Sequence, residues 1–99
     1  MAIDAGIIVL GTASATEADI DELIAAALAH VERSRLEPGC ISHGVQRDVE
    51  DPLRLVFVER WADRAALDVH FRQPGSAEFV EVVGRLQSAP PTLDIYTVS

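Results

Sequence analysis

Four breaker clusters punctuate the chain: Pro38-Gly39, the run 48–52 (DVEDP), Gln73-Pro74-Gly75 and Pro90-Pro91. Proline lacks an amide proton and has a fixed φ, and Gly and Asp favour turns, so each cluster ends the element before it. Between them the residue patterns differ in kind. Residues 6–12 (GIIVLGT) are β-branched and aliphatic and read as a strand. Ile20, Leu23, Ile24, Ala27, Leu28 and Val31 then recur at helical spacing. Ser14-x-x-Glu17 and Thr16-x-x-Asp19 offer overlapping capping boxes ahead of that helix. Residues 40–47 and 53–61 (LRLVFVERW) read as a hairpin of strands joined by the Asp-Pro turn. Asp63 is placed to cap a short helix through Phe71, and Ser76 to cap another with the stripe Phe79, Val82, Val83 and Leu86. Residues 92–99 form a last strand. The order β-α-β-β-α-α-β is the split βαβ, ferredoxin-like plan, an α+β fold with helices on one face of an antiparallel sheet. A single domain is expected over residues 1–99.

Such a sheet leaves its second face to water, yet that face is not polar here. In the third strand Leu53, Leu55, Phe57, Glu59 and Trp61 point one way and Arg54, Val56, Val58 and Arg60 the other. In the first, Ile7 and Val9 oppose Ile8 and Leu10. The simplest remedy is a homodimer packed through the sheet faces; otherwise Arg54 and Arg60 shield two isolated valines.

Composition narrows the partners. A net charge of -8, with no lysine and scattered arginines, argues against nucleic acid. No apolar run is long enough to span a membrane, and no basic run followed by an apolar stretch marks a secretory signal. The lone Cys40 cannot pair within the chain, so a cytoplasmic location is expected. The three histidines are far apart and no metal-ligand spacing or Gly-rich phosphate loop occurs, so no metal and no cofactor are expected.

The stretch 37–71 (EPGCISHGVQRDVEDPLRLVFVERWADRAALDVHF) resembles the antibiotic biosynthesis monooxygenase family. The likeness rests on Glu37, Gly39 and Cys40, the Asp51-Pro52 turn, a strand ending in Glu59 and Trp61, and a helix opening at Asp63 and carrying Leu67 and His70. It implies a dimeric α+β barrel and a substrate pocket between sheet and helices. It also implies cofactor-independent oxygenation of an aromatic polyketide or quinol, with dioxygen as co-substrate. Heme-degrading relatives carry an Asn on the first strand and a His on the last helix; those regions here read IIVLGT and EFVEVVGRL.

Within that frame Trp61 and His70 are the candidate catalytic residues. Trp61 could stack on a flat substrate and donate its indole N–H to a developing oxyanion. His70 could take a phenolic proton, with Glu59 orienting it. Phe57, Glu59, Phe71 and His43 are the candidate substrate-binding residues. Four of these six have a plainer reading. Trp61 could fill the core, Glu59 and His70 could form a buried polar pair, and His43 could lie at the surface or a dimer interface. His30 falls off the apolar stripe and reads as solvated. Cys40 reads as a small buried hydrophobe, and Tyr96 as either a pocket hydroxyl or a packing residue. Two rival functions remain: a different enzyme on the same scaffold, isomerising or detoxifying a polar metabolite with Arg47 or Arg72 in its pocket, and a non-catalytic ligand-binding dimer with no catalytic cavity.

Overall fold

The computed structural model describes residues 5–98, so Met1–Asp4 and Ser99 of the expected domain lie outside the described residues. The elements are β1 (Ile7–Ser14), α1 (Ile20–Ser34), β2 (Cys40–Arg47), β3 (Arg54–Trp61), α2 (Arg64–Phe71), α3 (Pro74–Leu86) and β4 (Thr92–Thr97), the order expected. The four strands form one antiparallel sheet in the order β2-β3-β1-β4. No helix among the described residues is long and apolar enough to cross a membrane.

Alternation assigns the faces. Ile7, Val9 and Ala13 of β1 and Leu55, Phe57, Glu59 and Trp61 of β3 are buried under the helices. Leu23, Ala27 and Val31 of α1 and Val83 and Leu86 of α3 close the main core against them. A second cluster joins Ile7, Val9 and Trp61 to Leu67 of α2. A fully buried aliphatic side chain stabilises by about 1.5–3 kcal/mol, so these short helices depend on this packing more than on propensity.

Several local expectations are corrected. Ser14 caps no helix: β1 runs on through it, paired with Arg54, and its carbonyl accepts from Ser88 N–H. The Thr16 hydroxyl reaches the Asp19 carboxylate at 3.5 Å, but Asp19, the N-cap residue, makes no side-chain capping bond; the Thr16 carbonyl takes the first amides instead. Asp63 caps α2 as expected, accepting from Ala66 N–H at 2.9 Å. Ser76 does not cap α3. Pro74 opens that helix two residues earlier, where its missing amide costs nothing.

The open sheet face carries Ile8, Leu10, Val56, Val58 and Tyr96, interspersed with Arg54, Arg60, Asp94 and threonines. Leu10 and Tyr96 are 40% and 51% exposed on it. Tyr96 pairs with Ile8 on this face and is therefore remote from the helix side.

Candidate functional site

Between β1, β3 and the helices lies a cavity of about 260 Å³, lined chiefly by apolar side chains. Its inner wall holds the buried His30, Glu59, His70 and Ser76. Phe71, Val80 and Leu93 line it while remaining exposed, so the mouth opens where α3 passes the start of β4. Phe57 and Phe79 form the apolar walls, their rings edge to face at 5.6 Å.

Each polar group arrives by its own local cause. On β3, Glu59 follows Phe57 by two residues and shares its face. On α2, His70 stands three residues beyond Leu67, so the leucine that anchors the helix also turns the imidazole inward. The Ser76 hydroxyl donates to the His70 carbonyl at 2.6 Å and ties the end of α2 to α3. The Pro38-Gly39 turn supplies Glu37. Gly39 adopts φ 84°, and a Cβ there would come within 2.5 Å of the Ala66 side chain. Only glycine lets the loop lie this close to α2. That approach carries Glu37 over His70.

His70 Nδ1 stands 3.1 Å from both oxygens of Glu37, so a neutral ring donates through Nδ1 and keeps its Nε2 lone pair. Glu37, not Glu59, orients His70. Glu59 Oε1 is 4.0 Å from His70 Nε2 and is engaged elsewhere: Trp61 Nε1–H donates to it at 2.9 Å, and His43 Nε2 lies 3.3 Å away, off the hydrogen-bond axis. Burial alone would raise the Glu59 carboxyl; the neighbouring His43, the Trp61 N–H and His70 outweigh it and hold the group below the usual carboxylate range.

Of the six expected site residues, Phe57, Glu59, His70 and Phe71 line the cavity. Trp61 and His43 stand one layer behind it. Trp61 is fully buried, its ring 4.7 Å from that of His70, and its indole N–H is committed to Glu59 rather than to a ligand. His43, expected at a surface or interface, is 2% exposed. A register shift between Cys40 and Ser42 sets it opposite Glu59 on the helix side, while Ile41 turns outward.

His30 is the larger correction. It is 6% exposed, and the buried face of α1 runs Ile20, Leu23, Ala27, His30, Val31 and Ser34, while Leu28 is half exposed. The spacing from Leu23 to His30 is two helical turns, so the pattern holds the signal; residue type hides it. The His30 ring stacks on Phe79 at 4.5 Å and 9°. Burial, then His43 and His70, lower its pKa to about 4, so it is neutral at pH 7. Distance in sequence does not keep the three histidines apart: His30, His43 and His70 bring one ring nitrogen each within 4.8 Å of one another. His30 Nδ1 and both ring nitrogens of His43 are buried without a well-aligned hydrogen-bond partner among the described residues, an arrangement that costs about 1–3 kcal/mol per group.

Cys40 is half-buried beside Trp61 and Leu67, and burial, then Glu37 and Glu59, raise its thiol pKa. The thiol therefore stays protonated at neutral pH, which suits packing rather than attack. Neither Arg47 nor Arg72 lines the cavity; Arg47 is bound to the Pro52 carbonyl in the hairpin turn.

Fold and cavity together define a small α+β protein with a ferredoxin-like sheet and an apolar pocket walled in part by histidine and carboxylate. The chain belongs to the antibiotic biosynthesis monooxygenase family, whose model matches residues 6–82. An uncharacterized protein of Synechocystis sp. is 38% identical over 96 residues, covering 97% of this chain and 65% of its own, so this chain spans just under two thirds of that relative's length. A crystal structure of an antibiotic biosynthesis monooxygenase superposes with a TM-score of 0.87 at 28% identity, covering 94% of this chain and 98% of that one. A conserved protein from Methanosarcina mazei Go1 superposes with a TM-score of 0.89 at 24% identity, covering 96% and 94% respectively; at that identity the likeness is one of fold.

Proposed function

We propose that this chain is an oxygenase of small phenols or quinols, with His70 as general base. The observation that carries the reading is the Glu37–His70 pair beside an apolar cavity: a carboxylate 3.1 Å from Nδ1, and Nε2 left to accept a proton. Phe57, Phe71 and Phe79 suit a flat aromatic ring, and a lining without arginine among the described residues disfavours a phosphorylated or strongly anionic substrate. At about 260 Å³ the cavity lies below the usual range of roughly 300–1,000 Å³ for drug-sized ligands, which favours one or two fused rings.

The phenol proton passes to His70 Nε2, and the imidazolium is stabilised by Glu37. The electron-rich phenolate then reacts with dioxygen. One oxygen atom enters a free ring carbon ortho or para to a hydroxyl and the other leaves as water, so a phenol plus dioxygen gives a quinone plus water, and a quinol plus dioxygen gives a hydroxyquinone plus water. No external reductant is needed. Trp61 acts through Glu59, fixing the carboxylate that faces the reacting ring, rather than by touching substrate. A second copy packed on the open sheet face belongs to the same reading, supported by the exposed Leu10 and Tyr96 and the half-buried Ile8, Val56 and Val58.

The test is oxygen uptake with a panel of hydroquinones and naphthols, for the wild type and His70→Ala. Uptake of one dioxygen per quinone formed, with no hydrogen peroxide released, is expected, and it is lost in the variant while the fold persists by circular dichroism. Full activity in His70→Ala would remove the base from the mechanism.

A further inference from the structure

We propose that His30, His43 and His70 form a binding site for a divalent transition-metal ion, with Glu59 as its charge-compensating carboxylate. This goes beyond the oxygenase reading, because it concerns an ion held by the protein; the ion would take the Nε2 lone pair of His70, so the metal-bound form is one in which that base is masked.

The three imidazoles come from different elements, α1, β2 and α2. Their ring centroids stand 5.4, 5.2 and 5.5 Å apart, a nearly equilateral triangle. One nitrogen of each lies within 4.8 Å of the others. A tetrahedral zinc site with Zn–N bonds of about 2.0–2.1 Å sets its nitrogens roughly 3.3 Å apart. Rotation of the three rings about their χ angles would have to supply that contraction on metal binding.

Further observations point the same way. His30 Nδ1 and His43 Nδ1 are buried with no hydrogen-bond partner among the described residues, and His43 Nε2 faces the Glu59 carboxylate at 3.3 Å without a hydrogen bond of good geometry. Buried polar atoms are almost always satisfied, so a cluster of orphans on converging rings calls for a ligand that satisfies them together. Glu37 contacts His70 Nδ1 at 3.1 Å and leaves Nε2 as the donor, the carboxylate–histidine arrangement that orients metal-binding imidazoles. Glu59 Oε1 is already 3.3 Å from His43 Nε2 and 4.0 Å from His70 Nε2, so negative charge sits where the cation would. An all-imidazole set with one carboxylate suits Zn²⁺, Cu²⁺, Ni²⁺ or Fe²⁺ rather than Mg²⁺ or Ca²⁺. The cavity beside His30 and His70 leaves space for a water or a phenolate oxygen as a further ligand.

The experiment uses chelator-stripped protein without a polyhistidine tag, titrated with Zn²⁺ by calorimetry and with Co²⁺ by visible absorption. Expected is one ion per chain, d–d bands of a four- or five-coordinate cobalt, and a rise in thermal midpoint with Zn²⁺ but not with Mg²⁺. His30→Gln and His43→Gln should each weaken binding more than about a hundredfold, and Glu37→Gln about tenfold to a hundredfold. Should either histidine variant fail to fold, long-range ¹⁵N–¹H spectra of the wild-type imidazoles give the answer directly: zinc must shift the ring nitrogens of all three histidines. Lack of uptake of both Zn²⁺ and Co²⁺, unshifted imidazoles, or undiminished binding in His30→Gln would overturn the site. Metal binding is measured without any turnover, so its failure leaves the oxygenase reading untouched, and failure of the oxygen-uptake assay leaves the metal site untouched.

Discussion

Glu37 and His70 are separated by 33 positions in the chain, yet the carboxylate of one stands 3.1 Å from the imidazole of the other. The pair joins the turn after α1 to the last residues of α2, and Gly39 makes the approach possible. Glu37→Gln keeps the shape but replaces an ionised acceptor with a neutral one. Turnover of a phenol or quinol should fall about tenfold to a hundredfold, chiefly in kcat. Steady-state oxygen uptake checks this, and an unchanged kcat would assign the pair to structure alone.

Gly39→Ala tests the turn itself. The positive φ and the 2.5 Å approach to Ala66 leave no space for a methyl group. A loss of about 2–4 kcal/mol is expected from strain and overpacking together. Urea unfolding with an unchanged m-value would show it.

Trp61→Phe preserves much of the ring and removes the indole N–H. Glu59 then loses its one well-aligned donor while staying buried, which should cost about 2–3 kcal/mol. In a chain of 99 residues that lowers the thermal midpoint by roughly 10–20 °C. Glu59→Gln in the same background should recover part of the loss, because a neutral amide is less costly to leave unpaired.

Acid stability depends on His30. In metal-free protein its pKa falls from 6.5 in the unfolded chain to about 4 in the folded one. Between those values the unfolded state binds the extra proton, so stability is complete above pH 6.5 and declines as pH drops toward 4. The loss over that window is on the order of 2–3 kcal/mol. Glu59, held below its ordinary value of 4.5, continues the decline at lower pH. His30→Gln should flatten the upper part of the curve, measured by urea midpoints across the window from about pH 4 to neutrality.

The open sheet face supplies a fifth measurement. Light scattering of the wild type should return twice the 10.7 kDa chain mass, and Val58→Glu, in the middle of that face, should return the monomer. A wild-type monomer would mean that Arg54 and Arg60 protect the valines unaided.

The architecture is legible in the sequence because strands and helices announce their buried faces through period, and both β3 and α3 do so without ambiguity. The Asp63 cap is equally plain. The site is legible only in part. Phe57, Glu59 and His70 emerge from parity on one strand and one short helix. His30 does not, since a polar residue on a long amphipathic helix reads as outward by type although its spacing from Leu23 places it inward. His43 is grouped by parity with Val45 and Arg47, and the structure keeps that group on the helix side; what parity misses is Ile41, turned outward by the irregular pairing beside Cys40. Glu37 stands in the very motif that carries the family resemblance, but a contact between a loop and a distant helix has no periodic signature.

The position of the cavity mouth bears on traffic. Phe71, Val80 and Leu93 ring an opening on the helical side, beside the last strand, while the exposed side of the sheet faces away from it. A partner seated on the sheet would leave both entrances unobstructed. Two copies would then fill and empty their pockets side by side, neither standing in the other's doorway.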